Sequence, residues 1–222
     1  MIEHLYIIPV LLFSVVIHEV AHGYVALILG DPTAKSLGRL TLNPLPHIDL
    51  IGSIFIPLFS LLTAGSVFIA WAKPVPVNRA NFLHPRRDNM LVSIAGPGSN
   101  LISAFVCCLA VIVLGRAGGV QVTDDPALIT SGVEFLTKMF YGGIYLNIVL
   151  AVFNLIPVPP LDGSHVLAAL LPSRLAQGYQ RIGFAGILVL IFLMRIPFVS
   201  GAFFALIGWM FAPFQILITM LI

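Results

Sequence analysis

The chain has 222 residues, of which 59% are apolar and 9% charged, with a formal net charge of +2. Soluble domains run at about 45–50% apolar and about 25% charged, so a chain of this size cannot hide that much apolar surface from water. Lipid is the solvent for most of it. The 11 Lys and Arg residues form no basic stripe, which argues against a nucleic-acid partner. The adjacent Cys107 and Cys108 read as small apolar side chains in a helix, not as a disulfide or a metal site. Glu3 and His4 stand where a secretory signal carries basic residues, so the first apolar run is expected to stay in the mature protein.

A bilayer-spanning helix needs about 20 mainly apolar residues. Apolar segments fall at about 5–29, 50–72, 90–115, 135–157, 182–195 and 198–221, the first interrupted by polar residues at 18–22 and the fifth short. The remainder reads as loops, the longest at about 30–48, 73–89, 116–134 and 162–181. The expected fold is an all-α polytopic membrane protein with about five to six transmembrane helices, forming one domain over 1–222.

Cytoplasmic loops collect Lys and Arg, so their distribution sets the orientation. If 50–72 crosses once, six of these residues fall on one side and four on the other. If it dips in and returns to the same face, the split becomes eight against two, and Asp124, Asp125 and Glu134 go to the opposite face. The second arrangement is preferred. Pro57 and the Thr63-Ala64-Gly65 sequence fit a turn within the segment, and the prolines of 66–77 favour an extended return. A re-entrant helix/strand element is therefore expected at about 50–78.

His18-Glu19-Val20-Ala21-His22 is an H-E-x-x-H pattern inside the first apolar segment. Positions i and i+4 share a helix face, so both imidazoles can reach one metal ion, and Glu19 is placed to take a proton from water beside it. Ionisable groups at the centre of a bilayer cost about 2.5–3.5 kcal/mol each on insertion scales, so they are functional by default. Catalytic zinc usually takes three protein ligands, and two imidazoles leave one missing. Asp31, Asp88, Asp124, Asp125 and Glu134 read as solvated loop charges, and Asp49 remains a weak candidate. Asp162 stands apart, because it directly follows NLIPVPPL, whose prolines must end a helix at membrane depth. Irregular backbone is tolerated there only when buried or lining a wet cavity. The competing reading of Asp162 is a turn or capping residue.

The two topologies also separate the metal ligands. With re-entry, the first and fourth segments run in the same direction and Asp162 falls on the side towards which His22 points. With a single crossing, the gap is roughly 20 Å at about 1.5 Å per residue. Zinc–oxygen bonds are about 2 Å.

HEVAH in one membrane segment and NLIPVPPLDG over 154–163, with Ala95-Gly96-Pro97 between them, resemble the site-2 protease family of intramembrane zinc metalloproteases. GRLTLNPLPHID (38–49) and WAKPVPVN (71–78) resemble its compact bacterial subgroup without PDZ or CBS domains. The resemblance covers about 10–170. It implies a single Zn2+ per chain held by His18, His22 and Asp162, Glu19 as general base, and cleavage within or next to a transmembrane segment of a substrate protein. It further implies a catalytic core at about 5–170, with C-terminal helices at about 178–222, and an active site nearer the cytosolic face.

Asn154 could hydrogen-bond substrate or a developing oxyanion, or simply cap its broken helix. His165 reads as an interfacial loop residue, and Gly96, Gly98 and Ser99 as helix packing, with Asn100 a candidate to face the site. The expected partners are a transmembrane substrate, the lipid bilayer and an unidentified adaptor. The expected location is a prokaryotic cytoplasmic membrane. The alternative function is a membrane zinc transporter or a non-catalytic metal-binding membrane protein, which predicts metal handling that tolerates loss of Glu19.

Overall fold

A computed structural model of the chain describes residues 7–49, 55, 72–118 and 132–222. Eight α-helices lie among the described residues: α1 (Ile7–Ile28), α2 (Thr33–Ser36), α3 (Pro85–Gly118), α4 (Gly132–Asn154), α5 (Asp162–Leu170), α6 (Ser173–Gln180), α7 (Gly186–Met194) and α8 (Pro197–Leu221). Helices α1, α3, α4 and α8 are each long and apolar enough to cross a membrane. Helix α6 meets α7 in a 71° bend, and the two together can make a fifth crossing. This agrees with an all-α polytopic membrane protein.

The apolar surplus sits on the outside as well as in the core. Phe13, Ile102, Val113, Phe192, Phe198 and Trp209 are all exposed on helix faces. A water-soluble protein does not leave so many large apolar side chains uncovered, whereas acyl chains cover them at no cost. Inside, Ala104, Cys108 and Val111 of α3 pack on Ile144 and Ile148 of α4, and Ile207 of α8 closes the cluster. Cys107 and Cys108 are free and buried in it.

Helix order in space follows from the side-chain pairs. Asn100 of α3 reaches the carbonyl of Ser14, and Val92 of α3 reaches His22, so α3 runs antiparallel to α1. Gly143 of α4 lies against Val10 of α1 and Cys107 of α3. Asn147, one turn on in α4, meets Asn100 of α3, so α4 is antiparallel to α3 and runs in the same direction as α1, as the re-entrant arrangement led us to expect.

The expected re-entrant element at 50–78 lies mostly outside the described residues, but its two ends are visible. The N–H of Lys73 donates to the carbonyl of His47 at 2.9 Å. Residues 47 and 73, at the two ends of the segment, thus lie side by side. Residues 72–78 form no helix, in keeping with Pro74 and Pro76.

Several expectations are corrected. The stretch 162–181 is not a loop but contains α5 and α6, since a run too polar to span a bilayer can still be helical. Asp31 is not solvated: it is fully buried just after α1, accepting from the N–H of Thr33 and Asn78 and from Nδ2 of Asn81. Asp88 is buried because its carboxylate accepts the N–H of His84 and so caps α3. Glu134 lies in the first turn of α4, buried and 3.4 Å from Lys138 one turn on. For Asp88 and Glu134 the partner lies four residues away, whereas Asp31 also gathers Asn78 and Asn81 from far along the chain.

Candidate metal centre

The H-E-x-x-H pattern lies in α1, where four-residue spacing stacks His18 over His22 on the face turned towards α3. Their Nε2 atoms are 3.1 Å apart. Asp162, the first residue of α5, brings Oδ2 to 3.2 Å from His18 Nε2 and 3.3 Å from His22 Nε2. Among the described residues this is the one group of three or more His, Cys, Asp or Glu side chains close enough to share a metal ion. Asp49 is not part of it.

Hydrogen bonds behind the imidazoles show which nitrogens carry protons. His22 Nδ1 donates to the carbonyl of Val92 at 2.7 Å. His18 Nδ1 lies 2.6 Å from Oδ1 of Asn100. The Asn100 amide is oriented by its other end, since Nδ2 donates to the Ser14 carbonyl and to Oδ1 of Asn147. Asn147 in turn donates to the carbonyl of Gly143. Each Nδ1 is thus placed to hold a hydrogen, and in the neutral imidazoles this leaves both Nε2 atoms to present lone pairs. Asp162 Oδ2 is buried with no hydrogen-bond donor. With both imidazoles neutral these three atoms are acceptors in mutual contact, an arrangement that a cation between them relieves. Two imidazoles and a carboxylate, each imidazole anchored from behind, is a donor set that fits a catalytic zinc ion.

Two glycines make the approach possible. A methyl group at Gly96 of α3 would overlap both imidazoles, so the Ala95-Gly96-Pro97 sequence makes room for the metal side chains as well as for helix packing. At Gly163 a methyl would run into the carbonyl of Leu155, where the chain turns back after α4. Pro157, Pro159 and Pro160 prevent α4 from continuing, and the hydroxyl of Tyr179 donates to the freed carbonyl of Pro157 at 2.7 Å. This break delivers Asp162 to the histidines.

Glu19 lies beside the histidine face. Its Oε2 accepts the N–H of Val75 at 2.7 Å. Val75 is flanked by Pro74 and Pro76, which have no N–H, so it is the one backbone donor in the Pro-Val-Pro sequence. Arg39 holds the same strip in place, its Nη2 donating to the carbonyls of Lys73 at 2.8 Å and Pro74 at 3.3 Å.

The structure thus brings together His18, Glu19, His22 and Asp162. Asn154 Nδ2 donates to the Leu150 carbonyl one turn earlier in α4 at 3.0 Å. His165 is on α5 instead of in a loop and accepts from Arg79. Burial, and then the nearby Arg79 charge, push the His165 imidazole below its ordinary pKa. Sequence reasoning passed over Asn147, Arg39, Gly96 as a contact of the histidines, and the N–H of Val75. A polar Asn in the middle of a membrane span was a usable signal. The others act across sequence separations that no local pattern records.

Comparison with known proteins places the chain in a family. The model of peptidase family M50 matches residues 6–194. The "Putative zinc metalloprotease YwhC" of Bacillus subtilis is 42% identical over 192 residues, covering 86% of this chain and 81% of that protein. The "Putative zinc metalloprotease Rip2" of Mycolicibacterium smegmatis is 30% identical over 202 residues, covering 90% of this chain and 70% of that protein. The protein of the same name in Mycobacterium tuberculosis is 30% identical over 205 residues, with the same coverage. No solved structure matches. The chain belongs to peptidase family M50, the site-2 protease family, and is a zinc metalloprotease.

Proposed function

We propose that this protease hydrolyses a peptide bond within or beside a transmembrane segment of a membrane-protein substrate, with one zinc ion held by His18, His22 and Asp162 and with Glu19 as general base. The observation that carries the reading is the convergence of three metal-ligand atoms, the two imidazoles braced from behind, on a scaffold of helices apolar enough to cross a bilayer. Zinc in that position supplies a Lewis acid and lowers the pKa of water towards neutrality.

The chain's own residues supply the rest. The hydrogen bonds from Nδ1 of His18 and His22 fix ring orientation and tautomer, so no rearrangement is needed before catalysis. Glu19 rests one carboxylate oxygen on the N–H of Val75 and keeps the other to accept a proton from the attacking water and pass it to the leaving amine. Nδ2 of Asn154 has a second proton beyond the one given to Leu150, which suits it to a substrate carbonyl or oxyanion. A substrate helix hides its carbonyls, so it must unwind locally before attack. Helix-destabilising residues in the substrate therefore favour cleavage.

The Lys and Arg bias supports a cytoplasmic membrane with the site nearer the cytosolic face, because Arg39, Lys73, Arg79 and Arg86 lie in the connections and the first helical turn at the end of the helices that carries the proposed metal ligands. The test is Glu19→Gln in the full chain with a model transmembrane substrate. Zinc content is expected to stay at the wild-type level while cleavage falls by about 10²–10⁴-fold. Cleavage at the wild-type rate overturns the mechanism, and metal flux that survives the substitution favours the transporter reading.

A further inference from the structure

Away from the metal ligands, a cavity of about 380 Å³ opens between the first turns of α3, the 3-10 turn Arg79–Asn81, α5 and α6. Its polar wall carries two guanidinium groups, those of Arg79 and Arg86, together with the carboxamides of Asn89 and Gln177. No acidic side chain lines it. Each guanidinium has a neutral partner instead. Arg79 Nη2 donates to Nδ1 of His165 at 3.1 Å, and Arg86 Nη2 donates to the Ser173 hydroxyl. Among the described residues neither arginine has a carboxylate within salt-bridge distance. Most of the N–H groups of both forks are left without a partner of opposite charge, and forked guanidinium groups match the oxygens of a phosphate.

Position and size narrow the ligand. The cavity opens at the end of α3 where Pro85, Arg86, Arg87 and Asp88 give way to the apolar crossing. It is floored by α6, a short helix of sequence SRLAQGYQ that is more polar than the long crossings and bends by 71° into the apolar α7. A short polar helix leading at an angle into an apolar one lies in the headgroup layer. The volume is several times that of a bare phosphate, and Pro85, Ala168, Ala169 and Ala176 add apolar wall beside the polar groups. Basic pockets between helices at this level take acidic lipid headgroups.

We propose that this cavity binds the phosphate of an anionic glycerophospholipid, with Arg79 and Arg86 as its charged ligands. A headgroup seated there ties the turn at 79–81 and α3 to α5 and α6. Because Asp162 is the first residue of α5, the lipid braces the helix that carries it, but the site itself requires no metal.

The test uses the detergent-purified full chain and reads lipid retention by native mass spectrometry and the thermal midpoint, with phosphatidylglycerol, phosphatidylcholine or inorganic phosphate added. One phosphatidylglycerol is expected to be retained in preference to phosphatidylcholine and to raise the midpoint. Arg79→Gln with Arg86→Gln is expected to weaken retention by at least about tenfold. Arg87→Gln with Arg174→Gln removes the same charge outside the cavity and is expected to leave retention unchanged. If the first pair does not fold, Ala169→Phe, which fills the cavity and keeps its charge, is expected to expel the same lipid. No preference for phosphatidylglycerol, or equal loss in both arginine pairs, overturns the proposal. Stabilisation by inorganic phosphate without lipid retention assigns the cavity to a soluble anion and overturns the lipid assignment.

Discussion

Glu19 in α1 and Val75, 56 residues later, are joined by a single hydrogen bond of 2.7 Å from the Val75 N–H to a Glu19 carboxylate oxygen. The flanking prolines leave that N–H as the one donor available to the carboxylate from their stretch of backbone. Arg39 grips the same strip through two carbonyls. The proposed general base is thus aimed by backbone from outside its own helix. Val75→Pro removes the donor without adding charge. We expect zinc content to hold while cleavage falls by about 10–100-fold, since small misplacements of a reacting group carry costs of that order. Arg39→Gln is expected to act in the same direction and more weakly. Zinc analysis beside a cleavage assay checks both, and parallel loss of zinc in Val75→Pro contradicts a role confined to Glu19.

Asn100 is the residue behind His18. Asn100→Leu removes the acceptor for Nδ1 and frees the ring to turn or change tautomer. Zinc affinity, measured by chelator competition, is expected to fall by about 10–100-fold. Asn100→Asp keeps an acceptor at the same position and is expected to lose less. Asn147→Ala, one step further from the metal, is expected to lie between wild type and Asn100→Leu.

Gly96 and Gly98 stand two residues apart in α3 and make a controlled pair. A methyl at Gly96 overlaps both imidazoles, whereas nothing lies within 4 Å of one at Gly98. Gly96→Ala is therefore expected to abolish zinc binding and activity. Gly98→Ala is expected to retain both, with stability equal to wild type or raised by the better helix propensity of Ala. Similar effects of the two substitutions would count against direct contact.

Asp31 is expected to matter for stability and not for chemistry. Burial works against its charge, but donors from Thr33, Asn81 and Asn78 outweigh this and hold its carboxyl below the ordinary range. A depressed folded-state pKa contributes stability above the unfolded value of about 3.9, and that stability is lost as pH falls through the folded value. Asp31→Leu strips the donors of their acceptor and is expected to cost about 2 kcal/mol or more at neutral pH. Below about pH 4 the gap between variant and wild type is expected to narrow. Thermal unfolding in detergent across that range checks both the size and the sign.

Much of the site was readable because its chemistry is written in short, dense motifs. HEVAH states its own geometry, since helical spacing alone stacks the two imidazoles. The run of prolines before Asp162 announces a broken helix at membrane depth. The charge count favoured a chain that returns to its starting face over 50–72, and the bond between Lys73 and His47 now ties those two ends together. Those residues themselves lie outside the described structure. The helical character of 162–181 was not readable, because hydropathy detects bilayer crossing and is silent about helices too polar to cross.

By itself, then, the sequence determined the solvent, the all-α membrane class and the candidates for metal ligand and base, because each follows from composition or from periodicity along one element. Only tertiary structure decided what stands behind them. It set Asn100 and Asn147 behind His18, turned the lone N–H of Val75 onto Glu19, packed Gly96 against the imidazoles and buried Asp31 among donors. Hydrogen bonds and close contacts of this kind join groups about 50 to 80 residues apart in the chain. Their partners are chosen by which helix faces meet when the apolar surfaces pack, and no local pattern encodes that choice.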